Sequence, residues 1–233
     1  MLPIFPIAVI LIAVVIVAII YGHYAAKKRR EALHAWAQGR SLRFEPAKDH
    51  SVEDRFGEFD CLQQGSNRYA ENRMSGDYEG REFLGFDYHY ETTSTDSKGR
   101  RQTHHHYFSA VILGSKVPLK PLLIRPEGFF DKVKEFFGLD DIDFESAEFS
   151  RKFFVKAQDR RWAYDVIHQR TMEFLLASPE FTIEFGAGRV MAYRSSQFEA
   201  VEFEQAAEAI RGILDRLPDY LVRQQMAAQP EGR

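Results

Sequence analysis

The residues best suited to chemistry lie in "REFLGFDYHYETTSTDSKGRRQTHHHYFSAVIL", where His89 and Glu91 precede a run of His104, His105 and His106. Imidazole nitrogens and carboxylate oxygens are donors that zinc accepts, at roughly 2.0–2.2 Å. The two halves of this stretch read as antiparallel strands joined at Lys98–Gly99, a two-residue turn with Ser97 opposite Arg100. That register sets Glu91 opposite His106, His89 opposite Phe108 and Tyr90 opposite Tyr107. Side chains alternate along a strand, so Phe86, Tyr88, Tyr90, Tyr107 and Val111 make a core side. The other side carries Asp87, His89, Glu91, His104 and His106. His89, Glu91, His104 and His106 are therefore the candidate metal ligands, and His105 points the other way. Opposed residues have Cβ atoms about 4.5–5.5 Å apart, within reach of one ion. The same pairs are also ordinary cross-strand contacts on a solvated face, and a slip of one residue would separate them. Hydrogen-bonded or solvated side chains are the expectation here, with zinc as the cofactor of the alternative.

Other chemistry finds little support. There is no G-x-S-x-G elbow, no G-x-x-x-x-G-K-[ST] loop and no H-E-x-x-H pair. The single cysteine, Cys61, excludes an intrachain disulfide and a Cys-rich zinc site. It sits in "FDCLQ", read as a short strand, where a buried inert thiol is the usual state. In "GLDDIDFESAEF", Asp140, Asp141, Asp143 and Glu145 lack the glycine and glutamate spacing of a calcium loop, and the run reads as a solvated connection. A net charge of −3 argues against a nucleic-acid partner.

These residues must be positioned by a chain of 233 residues, 45% apolar and 28% charged, with twenty phenylalanines for a core. Its first segment, "LPIFPIAVILIAVVIVAIIY", carries no charge from Leu2 to Tyr21. Twenty helical residues span roughly 30 Å, the hydrocarbon thickness of a bilayer. A cleaved signal peptide would have a basic start and a shorter apolar run, so we expect a retained transmembrane anchor over residues 1–22. Lys27, Lys28, Arg29 and Arg30 follow directly. The positive-inside rule then puts the rest of the chain in the cytoplasm, as a single-pass protein of the cell inner membrane. These basic side chains are also candidates for the membrane surface and its anionic headgroups. Residues 23–40 read as a basic juxtamembrane helix ending near Gly39, with Leu33, Trp36 and Ala37 spaced to dock on the globular part.

Residues 41–225 read as a cytoplasmic α+β domain and 226–233 as a disordered tail. Strands are expected at "SLRFE", "FDCLQ", "RYAENRM", both halves of the histidine hairpin, "PLLIRP" and "KFFVKA". "GFFDKVKEFFG" is a short amphipathic helix by its phenylalanine spacing. Asp159 can cap "RRWAYDVIHQRTMEFLLAS" as one helix. "FTIEFGAGRVMAYRS" is a hairpin whose Gly186 and Gly188 supply φ > 0 positions, and no helix opens behind "GAG" to make a phosphate loop. Ser196 with Glu199 suggests a capping box for the helix that runs to Pro218. The fold class is thus α+β, an N-terminal transmembrane helix followed by a mainly antiparallel sheet with packed helices.

"ESAEFSRKFFVKAQDRRWAYDVIHQRTMEFLL" with "FTIEFGAGRVMAY", from Glu145 to Tyr193, resembles a group of uncharacterised bacterial membrane-anchored proteins of unknown function. The resemblance implies a bacterial membrane protein and carries over no site residue. The function expected from the whole is a membrane-tethered interaction or scaffold domain without a catalytic site, partnered by the bilayer and by a membrane or cytoplasmic protein. The alternative is a metal-dependent enzyme or metal sensor on the hairpin.

Overall fold

The computed structural model describes residues 4–128 and 140–227. A single helix, α1 (Ile4–Gly39), runs without a break from the apolar segment into the globular part. It ends where Ser41 turns left-handed at φ +57°. Leu42 N–H then bonds to Ala37 O at 2.9 Å and Ser41 N–H to Gln38 O at 3.1 Å. That pair of bonds satisfies carbonyls the helix end would orphan.

Behind α1 come β1 (Arg43–Glu45), α2 (Val52–Arg55), a 3₁₀ turn (Asp60–Gln63), β2 (Ser66–Tyr78), β3 (Arg81–Thr95), β4 (Arg101–Gly114) and β5 (Leu122–Pro126). The chain continues through β6 (Asp140–Asp141), α3 (Ala147–Lys152), β7 (Phe153–Ala157), α4 (Arg160–Val166), α5 (Gln169–Ala177), β8 (Thr182–Phe185), β9 (Arg189–Arg194), α6 (Ala200–Leu214) and α7 (Asp219–Ala227). Among the described residues the strands join one nine-stranded sheet in the order β1-β2-β3-β4-β9-β8-β5-β7-β6. Every named strand pair is antiparallel, which makes the fold the expected α+β type.

Both faces of the central strands are buried, by different elements. On one, Phe83, Val111 and Leu113 pack with Leu33 and Ala37 of α1 and with Phe203 and Ile210 of α6. On the other, Phe86, Tyr88, Phe108 and Ala110 pack with Val52, Phe59 and Leu62 around α2 and the 3₁₀ turn. Gly212 lets α5 and α6 meet, since a Cβ there would lie 2.1 Å from the Phe174 ring.

Several local expectations change under tertiary contact. "FDCLQ" is the 3₁₀ turn and not a strand, although Cys61 is buried as expected. The helix capped by Asp159, whose Oδ1 accepts Trp162 N–H at 3.0 Å, stops at Ile167. It restarts as α5 behind His168, whose ring bonds to the Arg216 carbonyl at 2.9 Å. The capping box of α6 is built from Glu199 and Glu202, while the carbonyl of Ser196 accepts Ser109 N–H. Gly186 and Gly188 do not take left-handed φ values. Their loop instead turns Ala187 O and Gly188 O toward Leu119 N–H and Ser115 N–H, at 2.8 and 2.9 Å. A Cβ on Gly186 would stand 2.8 Å from Glu58, so close approach explains that glycine. The helix expected at "GFFDKVKEFFG" lies outside the described residues beyond Gly128, and so do residues 228–233 of the expected tail, whereas Met226 and Ala227, assigned to that tail, close α7.

Leu33, Trp36 and Ala37 dock as their spacing suggested. Leu33 and Ala37 are fully buried, and Trp36 packs on Phe83 and Phe203 at 6.0 and 6.4 Å between ring centres. The boundary expected at residue 41 leaves these side chains out of the packed unit. We predict that a 24–233 fragment is soluble and unfolds in one cooperative transition, whereas a 41–233 fragment aggregates or melts broadly. Loss of Leu33 packing alone is expected to cost about 2–5 kcal/mol, read by denaturant unfolding of Leu33→Ala.

Candidate functional site

Arg29 is the first residue to depart from its sequence assignment. Lys27, Lys28 and Arg30 are exposed on α1, but Arg29 turns into the domain instead of toward a membrane surface. Its guanidinium grips the buried Asp87 of β3 with two bonds, Nη1 to Oδ2 at 2.7 Å and Nη2 to Oδ1 at 2.8 Å. Nε donates to Phe198 O at 2.9 Å. Asp87 Oδ2 also accepts Asn72 Nδ2 at 2.8 Å, and Oδ1 accepts the Ser109 hydroxyl. Ser109 Oγ in turn accepts Phe198 N–H at 2.8 Å. The carboxylate thus has its acceptor positions filled, the condition under which a buried charge is tolerated. The signal available in sequence was an acid inside the apolar run "FLGFDYHY".

The histidine hairpin forms, with a register one residue away from the expectation. Asp96 bonds its carboxylate to Lys98 N–H at 2.9 Å and Arg100 N–H at 2.8 Å. Gly99 sits at φ +78° and donates to Asp96 O at 2.9 Å. The loop is therefore three residues, Ser97 to Gly99, rather than two. Tyr90 now faces His106, Glu91 faces His105 and His89 faces Tyr107.

This slip changes the candidate ligand set. His104 and His106 share a face away from His105, as alternation required, but His89 and Glu91 lie on the face of His105. His106 stacks on Tyr90 at 4.6 Å, and its Nε2 lies 2.8 Å from Thr92 Oγ1. His104 Nε2 lies 2.8 Å from Ser94 Oγ. Neither can join His89 and Glu91 at one ion, so the set of His89, Glu91, His104 and His106 is corrected. His89, Glu91 and His105 instead bring one ligand atom each within 4.8 Å of one another. On the face of His106, Cys61, Tyr90, Phe108 and Tyr193 line a cleft of about 340 Å³.

The second residue that sequence reading missed is Glu184 on β8, buried at 1% exposure. Its Oε1 accepts Asp60 N–H at 3.3 Å, and its Oε2 has no hydrogen-bond partner. Burial, with the charges of Asp60 and Glu58 adding, pushes the carboxyl up to about 8 against the single amide bond. It lies on the strand "FTIEF" as the acid between two buried apolar residues.

No protein-family model matches the chain, and no curated protein matches it. Among solved structures the chain is similar to the crystal structure of the mycobacterial trehalose monomycolate transport factor A, TtfA. The likeness has a TM-score of 0.62 at 13% identity, and covers 80% of this chain and 93% of that one. It establishes a shared fold.

Two outcomes follow from these buried charges. Asp87→Ala strands the Arg29 guanidinium and is expected to cost about 3–5 kcal/mol in denaturant unfolding, against well under half that for the exposed Asp77→Ala. Glu184 binds a proton in the native state across the interval from the ordinary carboxylate range up to about 8, where the unfolded chain does not. Its contribution is therefore favourable below that interval and is lost as pH rises through it. Glu184→Gln is expected to melt above the parent at about pH 9 and to lose that advantage near pH 4, as read by thermal scans.

Proposed function

We propose that this chain is a single-pass protein of the bacterial cell inner membrane. Its α+β domain works on the cytoplasmic side as a non-catalytic interaction or scaffold domain. The observation that carries this reading is the continuity of α1 from the apolar span into the core. Arg29 lies only eight positions beyond Tyr21, about 12 Å of helix. Because Arg29, Leu33 and Ala37 are fastened to the sheet, the domain is held close to the bilayer at a set angle. A tether of that kind restricts partners to proteins in or beside the membrane.

The helix over Leu11–Gly39 is long and apolar enough to cross a membrane. Exposed Lys27, Lys28 and Arg30 stand where headgroups would meet the emerging helix, which supports the cytoplasmic orientation. The solved relative in fold is a transport factor, and that supports an accessory role over an enzymatic one. Its cargo is not carried over to this chain.

A green fluorescent protein fused behind Arg233 is expected to fluoresce, and an alkaline phosphatase fusion at the same point to stay inactive. An active phosphatase would reverse the orientation. A photo-crosslinker placed at Lys28 of the full-length protein is expected to give a discrete protein adduct in membranes, and labelling of lipid alone would count against a protein partner.

A further inference from the structure

The cluster around His89 has features that a plain cross-strand pair does not need. Strand β2 carries an extra residue opposite β3 between Ser66 and Tyr69. Asn67 occupies that bulge at φ +50°, a left-handed conformation that asparagine tolerates better than most residues. From there its carbonyl meets His89 Nδ1 at 3.1 Å, and its Nδ2 donates to Glu91 Oε1 at 2.6 Å. A carbonyl can only accept, so His89 Nδ1 carries the proton and Nε2 presents its lone pair. The ring is buried at 3% exposure between Tyr69 and Tyr107, at 4.5 and 4.7 Å between ring centres. It cannot swing away.

His89 Nε2 faces His105 Nδ1 at 3.1 Å, and that nitrogen is 3.4 Å from Glu91 Oε1. Two donors bound tetrahedrally at ~2.0–2.1 Å stand ~3.3–3.4 Å apart, so the two measured separations are close to those of a loaded site. With His89 Nε2 as an acceptor, a proton on His105 Nδ1 is the donor between the two rings. An ion would take that proton's place. We propose that His89 Nε2, His105 and Glu91 form a three-ligand site for a zinc-class divalent cation, held in shape by Asn67. The fourth position opens to solvent beside the exposed His105, where water completes the shell. Nitrogen donors with one carboxylate favour zinc and its transition-metal neighbours over magnesium or calcium. The carbonyl on His89 Nδ1 is the orienting contact that bound histidines ordinarily have. The site stands whether or not α1 crosses a membrane.

The test uses the full-length protein in detergent micelles, titrated with zinc by calorimetry and with cobalt(II) by visible absorption. One equivalent of each is expected, with a cobalt d–d band of tetrahedral strength. His105→Ala, at an exposed position that leaves the fold intact by circular dichroism, is expected to abolish stoichiometric binding. Asn67→Gly keeps the left-handed backbone and its carbonyl on His89 while removing the side-chain contact to Glu91, and is expected to weaken zinc about 10–100-fold. His104→Ala/His106→Ala is expected to bind as the parent does. No stoichiometric zinc in the parent protein, or unchanged binding in a folded His105→Ala, would overturn the site. Loss of binding confined to the His104→Ala/His106→Ala variant would overturn it equally.

Discussion

The ion pair between Arg29 and Asp87 is the interaction on which the arrangement of this chain depends. Asp87 lies at 1% exposure in the middle of the sheet. A carboxylate there is costly unless its oxygens are bonded and its charge is met. Arg29 meets the charge, and it does so from the helix that bears the apolar segment. Satisfying one buried acid thereby sets both the depth and the rotation of α1 against β3. Asn72 from β2, Ser109 from β4 and the Phe198 backbone ahead of α6 complete the shell. The helix cannot rotate without stranding that charge, and the packing of Leu33 and Ala37 against Phe83 and Phe203 closes the same contact with apolar surface.

A second constraint comes from two irregularities in β2. Each adds one residue to the strand opposite β3, between Ser66 and Tyr69 and between Glu71 and Met74. Each also contains an asparagine at φ near +50°, Asn67 at 50° and Asn72 at 51°. A regular strand would send these side chains to fixed alternate faces. The bulges re-aim them, Asn72 onto Asp87 and Asn67 onto Glu91. One device therefore serves both polar clusters of the sheet, the clasp on α1 and the His89 cluster higher on the hairpin.

The buried carboxyl of Glu184 is met differently. Asp87 has a guanidinium and stays within a complete set of donors, while Glu184 has one backbone amide and acidic neighbours. Desolvation then favours its neutral form. The sheet thus holds one acid by pairing it and another by protonating it.

Much of this was legible without coordinates. Twenty uncharged residues followed by a basic cluster mark a segment fit for a bilayer, because length and charge are local properties. The strands on both sides of Ser97–Gly99 announced themselves by aromatic and β-branched content, as did the helical docking of Leu33, Trp36 and Ala37 by spacing. Alternation alone separated His105 from His104 and His106. What only the tertiary structure decided was which partners these residues meet. The choice between a two- and a three-residue turn depended on one carboxylate, Asp96, binding the turn amides, and that single residue moved His89 and Glu91 to the side of His105. Arg29 looked like its basic neighbours until folding brought an unpaired buried acid within reach, fifty-eight positions along the chain. Register and long-range charge pairing are properties of two segments at once, and one segment's composition does not contain them.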